Sequence, residues 1–432
     1  MTARCIPLFP LLVALLIGVA TFAPASPAAA EAPPDFMLPP MPVDADASGF
    51  LYGTVTTTRG ERIEGRLRWD DEEAFWGDFF NSSKQTRPYV DLLRDARPVE
   101  REPIKVLGFT IGYTSDEPDH ERNRYFVARF GDIDQLELRG RNRVIVTLKS
   151  DLTLEVRGGS NDVGAEIWIW SDDEESPRTV PWHRIRTIAF AAAPDDAAAD
   201  VFRIMGAVTT RDDTVFRGGI QWDLEECVSI DKLDGDDRDG DRWSIPMGAI
   251  ASIEREGRDS SRVTLRAGEA VVLDGTNDVD DSMRGVFVED PRFGRVQVSW
   301  DAFARADFDP PGSSGPAYDD YPPRGPLSGT VETRGGQRLR GRIAFDLDEA
   351  EGWEMLDGTQ DGVEYAIPFS LVKRVTPRGS DRSEVELHDG TELTLEDSAD
   401  VGDGNAGVAV VVDDTPRYVA WDEIASIVFD AP

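Results

Sequence analysis

Apolar and polar residues alternate along this chain in short runs. Val55 and Thr57, like Val385 and Leu387, stand two apart and so share one face of an extended strand, and no stretch sustains the 3.6-residue period of a helix. The predicted class is all-β. The runs come in three similar stretches. Gly53-Thr54-Val55-Thr56, Gly206-Ala207-Val208-Thr209 and Gly329-Thr330-Val331-Glu332 each open one, and an aromatic-Asp pair follows at Trp69-Asp70, Trp222-Asp223 and Phe345-Asp346. Val180-Pro181-Trp182, Val298-Ser299-Trp300 and Val419-Ala420-Trp421 mark the closing strands. Recurrence at a fixed period is the mark of a repeated unit.

Each stretch is itself doubled. Val331 to Leu339, with Gly335-Gly336 inside it, is echoed by Val385 to Leu393 with Asp389-Gly390. Six half-units are expected, each a strand, a tight turn, a second strand, and later strands joined by one helical turn. Val208 to Val331 spans 123 residues and Val263 to Val385 spans 122, whereas Val55 to Val208 spans 153. The excess falls in the first copy at about residues 81–124, where Tyr89 to Ala96 is predicted as a short helix and Ile104 to Tyr113 as a strand. Segments rich in Pro, Gly, Ala and acidic residues separate the copies and read as linkers that cannot order themselves. The expected organisation is a signal peptide (1–30), a Pro-rich linker (31–48), β repeat domain 1 (49–190), a linker (191–200), domain 2 (201–308), a Pro/Gly-rich linker (309–325) and domain 3 (326–432).

A strand that reaches a tight turn, returns through Gly to an aromatic-Asp pair and closes with two spaced aliphatics resembles the Sm-like small β-barrel. The residues that carry the resemblance are Val331, Gly336, Gly341, Ile343, Phe345-Asp346, Leu371 and Val375, with parallels in the other halves. It implies three tandem domains, each of two small Sm-like barrels. RNA-binding members of that family carry an Asn after the aromatic-Asp pair and an Arg-Gly before the closing strand. Here Glu72-Glu73, Glu225-Glu226 and Asp348-Glu349 follow the pair, and Ile245-Pro246 or Ile367-Pro368 stands near the Arg-Gly place, so the resemblance argues against RNA binding.

Charge points the same way. Asp plus Glu number 82 against 46 Lys plus Arg, a formal net charge of −36. Such a surface repels nucleic acid and anionic lipid. Arg4, the apolar run Ile6 to Ala20 and Ala28-Ala29-Ala30 together form a secretory signal, too short and Pro-broken to span a membrane, so a periplasmic, outer-envelope or extracellular location is expected. Its removal leaves Cys227 as the one thiol, without a disulfide partner; Ala74 and Ala350 take its place in the other copies, which marks it as a small buried apolar residue.

Candidate chemistry is sparse. The acidic residues after each aromatic recur as Asp70, Glu72 and Glu73, as Asp223, Glu225 and Glu226, and as Asp346, Asp348 and Glu349. Such a set either holds a hard cation such as calcium through oxygen ligands or forms a solvated turn that blunts an edge strand. Asp234 to Asp241 lacks the EF-hand register and reads as an acidic hairpin tip. Asn161-Asp162-Val163, Asn277-Asp278-Val279 and Ala399-Asp400-Val401 suit Asx turns. Trp182, Trp300 and Trp421 are expected in the core, and Trp168 and Trp170 on one face of a strand. His120, His183 and His388 show no metal-ligand spacing, and no nucleophile elbow or phosphate loop occurs. No cofactor is therefore expected apart from calcium at the acidic turns, and no catalytic residue is assigned. The expected role is an exported, non-enzymatic adhesion, scaffolding or protein-interaction module. Its alternatives are a glycan- or calcium-binding array and a carboxylate-dependent hydrolase built on the 81–124 insertion; the protein or glycan partner is unknown.

Overall fold

Alternating runs fold as hairpins where the tip residue tolerates a positive φ. Gly336 (80°) and Gly390 (91°) fill two such tips, and Asp151 (65°) and Asp213 (66°) fill the equivalent ones elsewhere. A computed structural model describes residues 45–70, 72–84, 103–106, 109–113, 124–158, 162–171 and 176–432. The expected signal peptide (1–30), residues 31–44, the expected helix Tyr89 to Ala96, His120 and Asn161 lie outside the described residues. Among the described residues there is no α-helix. The structure is all-β, with a repetitive pattern of antiparallel hairpins gathered mainly into one ten-stranded and one twenty-stranded sheet.

The expected single helical turn is present as a 3-10 turn at Phe130–Asp132, Trp182–Arg184, Met247–Ala249, Phe369–Leu371 and Trp421–Glu423, each leading directly into a closing strand. Its first residue is buried in every case, so the turn plugs the core while the strand that follows alternates in and out.

Strand order departs from six self-contained barrels. In the last hundred residues it runs Thr415–Val419, Val408–Val412, Arg338–Ala344, Ser328–Thr333, Ile424–Phe429, Val372–Pro377, Arg382–Leu387, Glu392–Glu396, Met355–Gln360, Val363–Pro368. The first hairpin of the front half thus lies between strands of the back half, and the first hairpin of the back half lies between strands of the front. The ten strands of 205–308, and the ten of the other large sheet between Tyr52 and Phe190, follow the same order by position. No pairing joins the two outer strands of any series, so the sheets stay open and the expected closed barrels do not form. The cause is local. Asp70, Asp223 and Asp346 have φ of 51°, 45° and 47°, and Leu224 and Leu347 follow at 65° and 56°. This left-handed backbone turns the chain out of the sheet after the aromatic residue, so the next hairpin pairs elsewhere.

Gly53, Gly206 and Gly329 lie where two strands approach closely. A Cβ there would overlap the carbonyl oxygen of Ala189, Asp307 and Val428 respectively, which explains the glycine that opens each stretch. Gly294–Val298 pairs with Val363–Pro368 and fuses residues 205–308 and 328–429 into one sheet. Trp182, Trp300, Trp421 and Cys227 are buried as expected, and Trp168 and Trp170 stack on one strand face with ring centroids 6.3 Å apart.

Two segments behave differently from expectation. Residues 309–325 were expected to be unable to order themselves, yet Tyr318 and Tyr321 are buried in the core of the first segment. The Tyr318 hydroxyl donates to the Ile133 carbonyl (2.9 Å), and Tyr321 donates to Glu289 (2.6 Å). Two aromatic side chains supply the apolar surface that the prolines do not. Pro103–Val106 and Phe109–Tyr113 form a hairpin in place of the single expected strand. The insertion leaves the sheet between Phe79–Lys84 and Arg124–Arg129, which still pair with each other. It therefore extends the tip of a hairpin, where added length disturbs little of the sheet.

Candidate functional site: three carboxyl pairs and a shared cleft

The turn after each buried aromatic is held by a carboxylate. Asp78 accepts the backbone N–H groups of Ala74 (2.8 Å) and Phe75 (2.9 Å). Asp231 accepts those of Cys227 and Val228 (2.9 Å each), and Glu354 those of Ala350 (2.6 Å) and Glu351 (3.0 Å). Sequence reasoning missed these three, although each stands nine residues after its aromatic, at Trp69, Trp222 and Phe345. Each is also tied to a cation from another segment. Arg295 lies 3.2 Å from Asp78, Arg68 3.4 Å from Asp231, and Lys84 2.6 Å from Glu354 and 3.2 Å from Asp348. The three segments are therefore packed against one another through buried and half-buried ion pairs, and the Phe126 ring meets Trp353 at 5.6 Å.

The predicted acidic residues meet different partners within each turn, save that Asp346 and Glu349 lie together beside Asp400. Asp70 is an exposed turn residue. Asp223 is fully buried, accepting the backbone N–H of Arg284 (2.6 Å) and its guanidinium (2.9 Å), while Glu225 is exposed and pairs with the same Arg284 (2.9 Å). Asp346 is buried and accepts the N–H of Ala406, and Asp348 faces Lys84. The third acid of each set instead faces the second sequence motif: Glu73 with Asp162, Glu226 with Asp278, Glu349 with Asp400. Each of these aspartates reaches across to a strand, accepting the backbone N–H of Asn81 (2.5 Å), Asp234 (2.7 Å) and Asp357 (2.8 Å). Where Asx turns were expected, the carboxylates join distant parts of the fold.

Burial, with the neighbouring aspartate next, pushes Glu73 up to about 10 and Glu226 up to about 9. Glu349 is raised well above its ordinary range by burial, then by Asp400 and Asp348. Burial also lifts Asp162 and Asp278 to about 6, against the hydrogen bonds from Asn81 and Asp234 that pull them down. At neutral pH Glu73 and Glu226 hold protons. The third pair has a further member: oxygens of Asp346, Glu349 and Asp400 all lie within 4.8 Å of one another, the donor type a hard cation takes.

A cleft of about 730 Å³ opens where the segments meet. Glu73 and Phe79 come to it from the first, Gln221 and Arg295 from the second, Asp357 and Glu364 from the third. The Arg295 guanidinium lies over the rings of Phe79 (4.5 Å) and Phe287 (4.3 Å), and donates to Asp78 and to Gln221 (3.3 Å). Of the other candidates, Asp237 closes a hairpin tip by accepting the N–H groups of Asp239 (2.9 Å) and Asp241 (3.0 Å), the arrangement expected for 234–241. His183 and His388 are exposed and far apart in the strand order.

No family model, no curated protein and no solved structure matches this chain. Among the described residues no helix is long and apolar enough to cross a membrane.

Proposed function

We propose that the protein is an exported, non-enzymatic binding scaffold, built of three repeat domains at 49–190, 201–308 and 326–432, each of two Sm-like half-units that exchange strands, and released from a signal peptide at residues 1–30. The observation that carries the reading is the cleft to which all three segments contribute walls, held by ion pairs that cross between segments. Carboxyls with shifted acidity often mark catalysis. Here Asp162, Asp278 and Asp400 are occupied by backbone N–H groups, which suits a framework role. Residues 31–432 should bind a polar ligand without turning it over, with binding weakened by substitutions in the cleft. Titration calorimetry against a panel of soluble glycans, peptides and small ions reads this out. Hydrolysis of any panel member that Glu73→Gln abolishes would overturn the non-enzymatic reading.

A second reading, calcium binding, is favoured by the oxygens of Asp346, Glu349 and Asp400. It requires that millimolar calcium raise Tm and that Glu349→Gln cancel the rise.

A further inference from the structure

We propose that the cleft is the seat of a small organic polycation, an alkyl di- or polyamine, whose ammonium groups meet Glu73 on the first segment and Asp357 and Glu364 on the third. The inference rests on the reading of the cleft as the ligand site and adds the class of ligand.

Glu73 is the starting point. It is only 9% exposed and lines the cleft, and the group that faces it is another carboxyl, Asp162; no cation pairs with it among the described residues. Two carboxyls so placed repel each other when both ionise, and a cation reaching them relieves that repulsion. The cations already in the cleft are committed. Arg284 is bound to Asp223 and Glu225, and Arg295 to Asp78 and Gln221. Asp357, Glu364 and Asp397 also line the cleft and join no ion pair among the described residues. With Glu72 they make four acids, beside the protonated Glu73, against two arginines, so the field in the cleft attracts cations and repels anions.

Shape narrows the class. A bare metal ion needs several oxygens converging within one coordination sphere. Among the described residues the group that comes close is Asp346, Glu349 and Asp400, and neither Asp346, Glu349 nor Asp400 lines this cleft. A sugar ring would want an aromatic face, but Arg295 covers those of Phe79 and Phe287, and Tyr365 is packed against Phe216 and Phe293. What remains is an elongated cation whose N–H groups make charge-assisted hydrogen bonds to carboxylates on two segments while Gln297 offers an amide oxygen between them. An arriving ammonium favours the ionised form of Glu73, which burial and Asp162, then Asp78 and Glu72, hold protonated, while Arg295 pulls the other way. Binding should therefore release a proton.

The test is calorimetric titration of residues 31–432 with spermidine at 0.15 M NaCl and pH 7.5, in two buffers of different ionisation enthalpy. The expected result is one spermidine per chain with release of a proton. Glu73→Gln should weaken binding about tenfold or more and abolish the release, and the exposed Glu364→Gln should weaken it by a smaller factor. Circular dichroism checks that both variants are folded. Several equivalent weak sites that Glu73→Gln leaves unchanged would mean general attraction to an acidic surface and would overturn the inference, as would absence of binding. Should spermidine fail while another panel ligand binds and is lost in Glu364→Gln, the polyamine assignment falls and the scaffold reading stands. If no ligand responds to either variant, both fall.

Discussion

Replacing Glu73 with Gln should stabilise this protein at pH 8 and leave it nearly unchanged at pH 5. The folded state holds the Glu73 proton up to about pH 10, because the buried carboxyl would otherwise place its charge beside Asp162. In the unfolded chain the same group loses its proton at its ordinary value of 4.5. Between those two values the folded state binds more protons than the unfolded one, so the stability contribution of this group is full below pH 4.5 and is lost as pH rises toward 10. One group that keeps its proton throughout costs the fold roughly 4 kcal/mol between pH 5 and pH 8. Gln matches the shape of the protonated acid and carries no proton to lose, so the variant should escape that cost. Urea unfolding followed by Trp fluorescence, at pH 5 and pH 8 and constant ionic strength, measures the difference directly. The lowered carboxyls, Glu289 and Asp290 among them, do not confuse the window, since their contributions disappear only as pH falls through values below their ordinary ones. A variant no more stable than the parent at pH 8 would show Glu73 ionised and well paired, and the argument from burial would fail.

Two other substitutions probe the packing of the segments. Lys84→Met leaves Asp348 and Glu354 buried without their cation and should cost about 3–5 kcal/mol in a thermal or urea melt, with partial recovery in the double variant with Glu354→Gln. Gly329→Ala places a methyl group against the Val428 carbonyl and should cost about 3 kcal/mol in the same assay, whereas Ala at the open hairpin tip Gly335 should cost far less.

What the sequence made legible is what is local. Alternation within a strand, a turn residue at a hairpin tip and an aromatic before a closing strand each act over a few residues, so the all-β class, the hairpins and the buried Trp182, Trp300 and Trp421 could be read from the letters. Cys227 was placed correctly because Ala74 and Ala350 stand at the matching turns, and all three are buried. The strand order was not legible, because it depends on where the chain goes after Asp70, Asp223 and Asp346 turn left-handed. The stretch 328–377 looks complete in sequence, yet its first hairpin, Ser328–Thr333 with Arg338–Ala344, pairs between strands of the residues that follow it.

The same distinction governs the carboxyls. Acids that are neighbours in sequence need not share a site. In these turns they take different partners: the first sits at the positive-φ turn, the second meets a cation at Glu225 and Asp348, and the third faces an aspartate of a distant loop. The partner of that third acid lies far along the chain, at Asp162 for Glu73 and at Asp278 for Glu226, on a loop that the shared strand order brings against the turn. Each member recurs visibly along the sequence, but nothing local ties one recurrence to the other. Two motifs that recur in step, one acidic and one built around a single Asp, are more informative together than apart. Each added occurrence makes it harder to explain them as independent turns, and a fold that places the two in contact once will do so every time the order of strands is repeated.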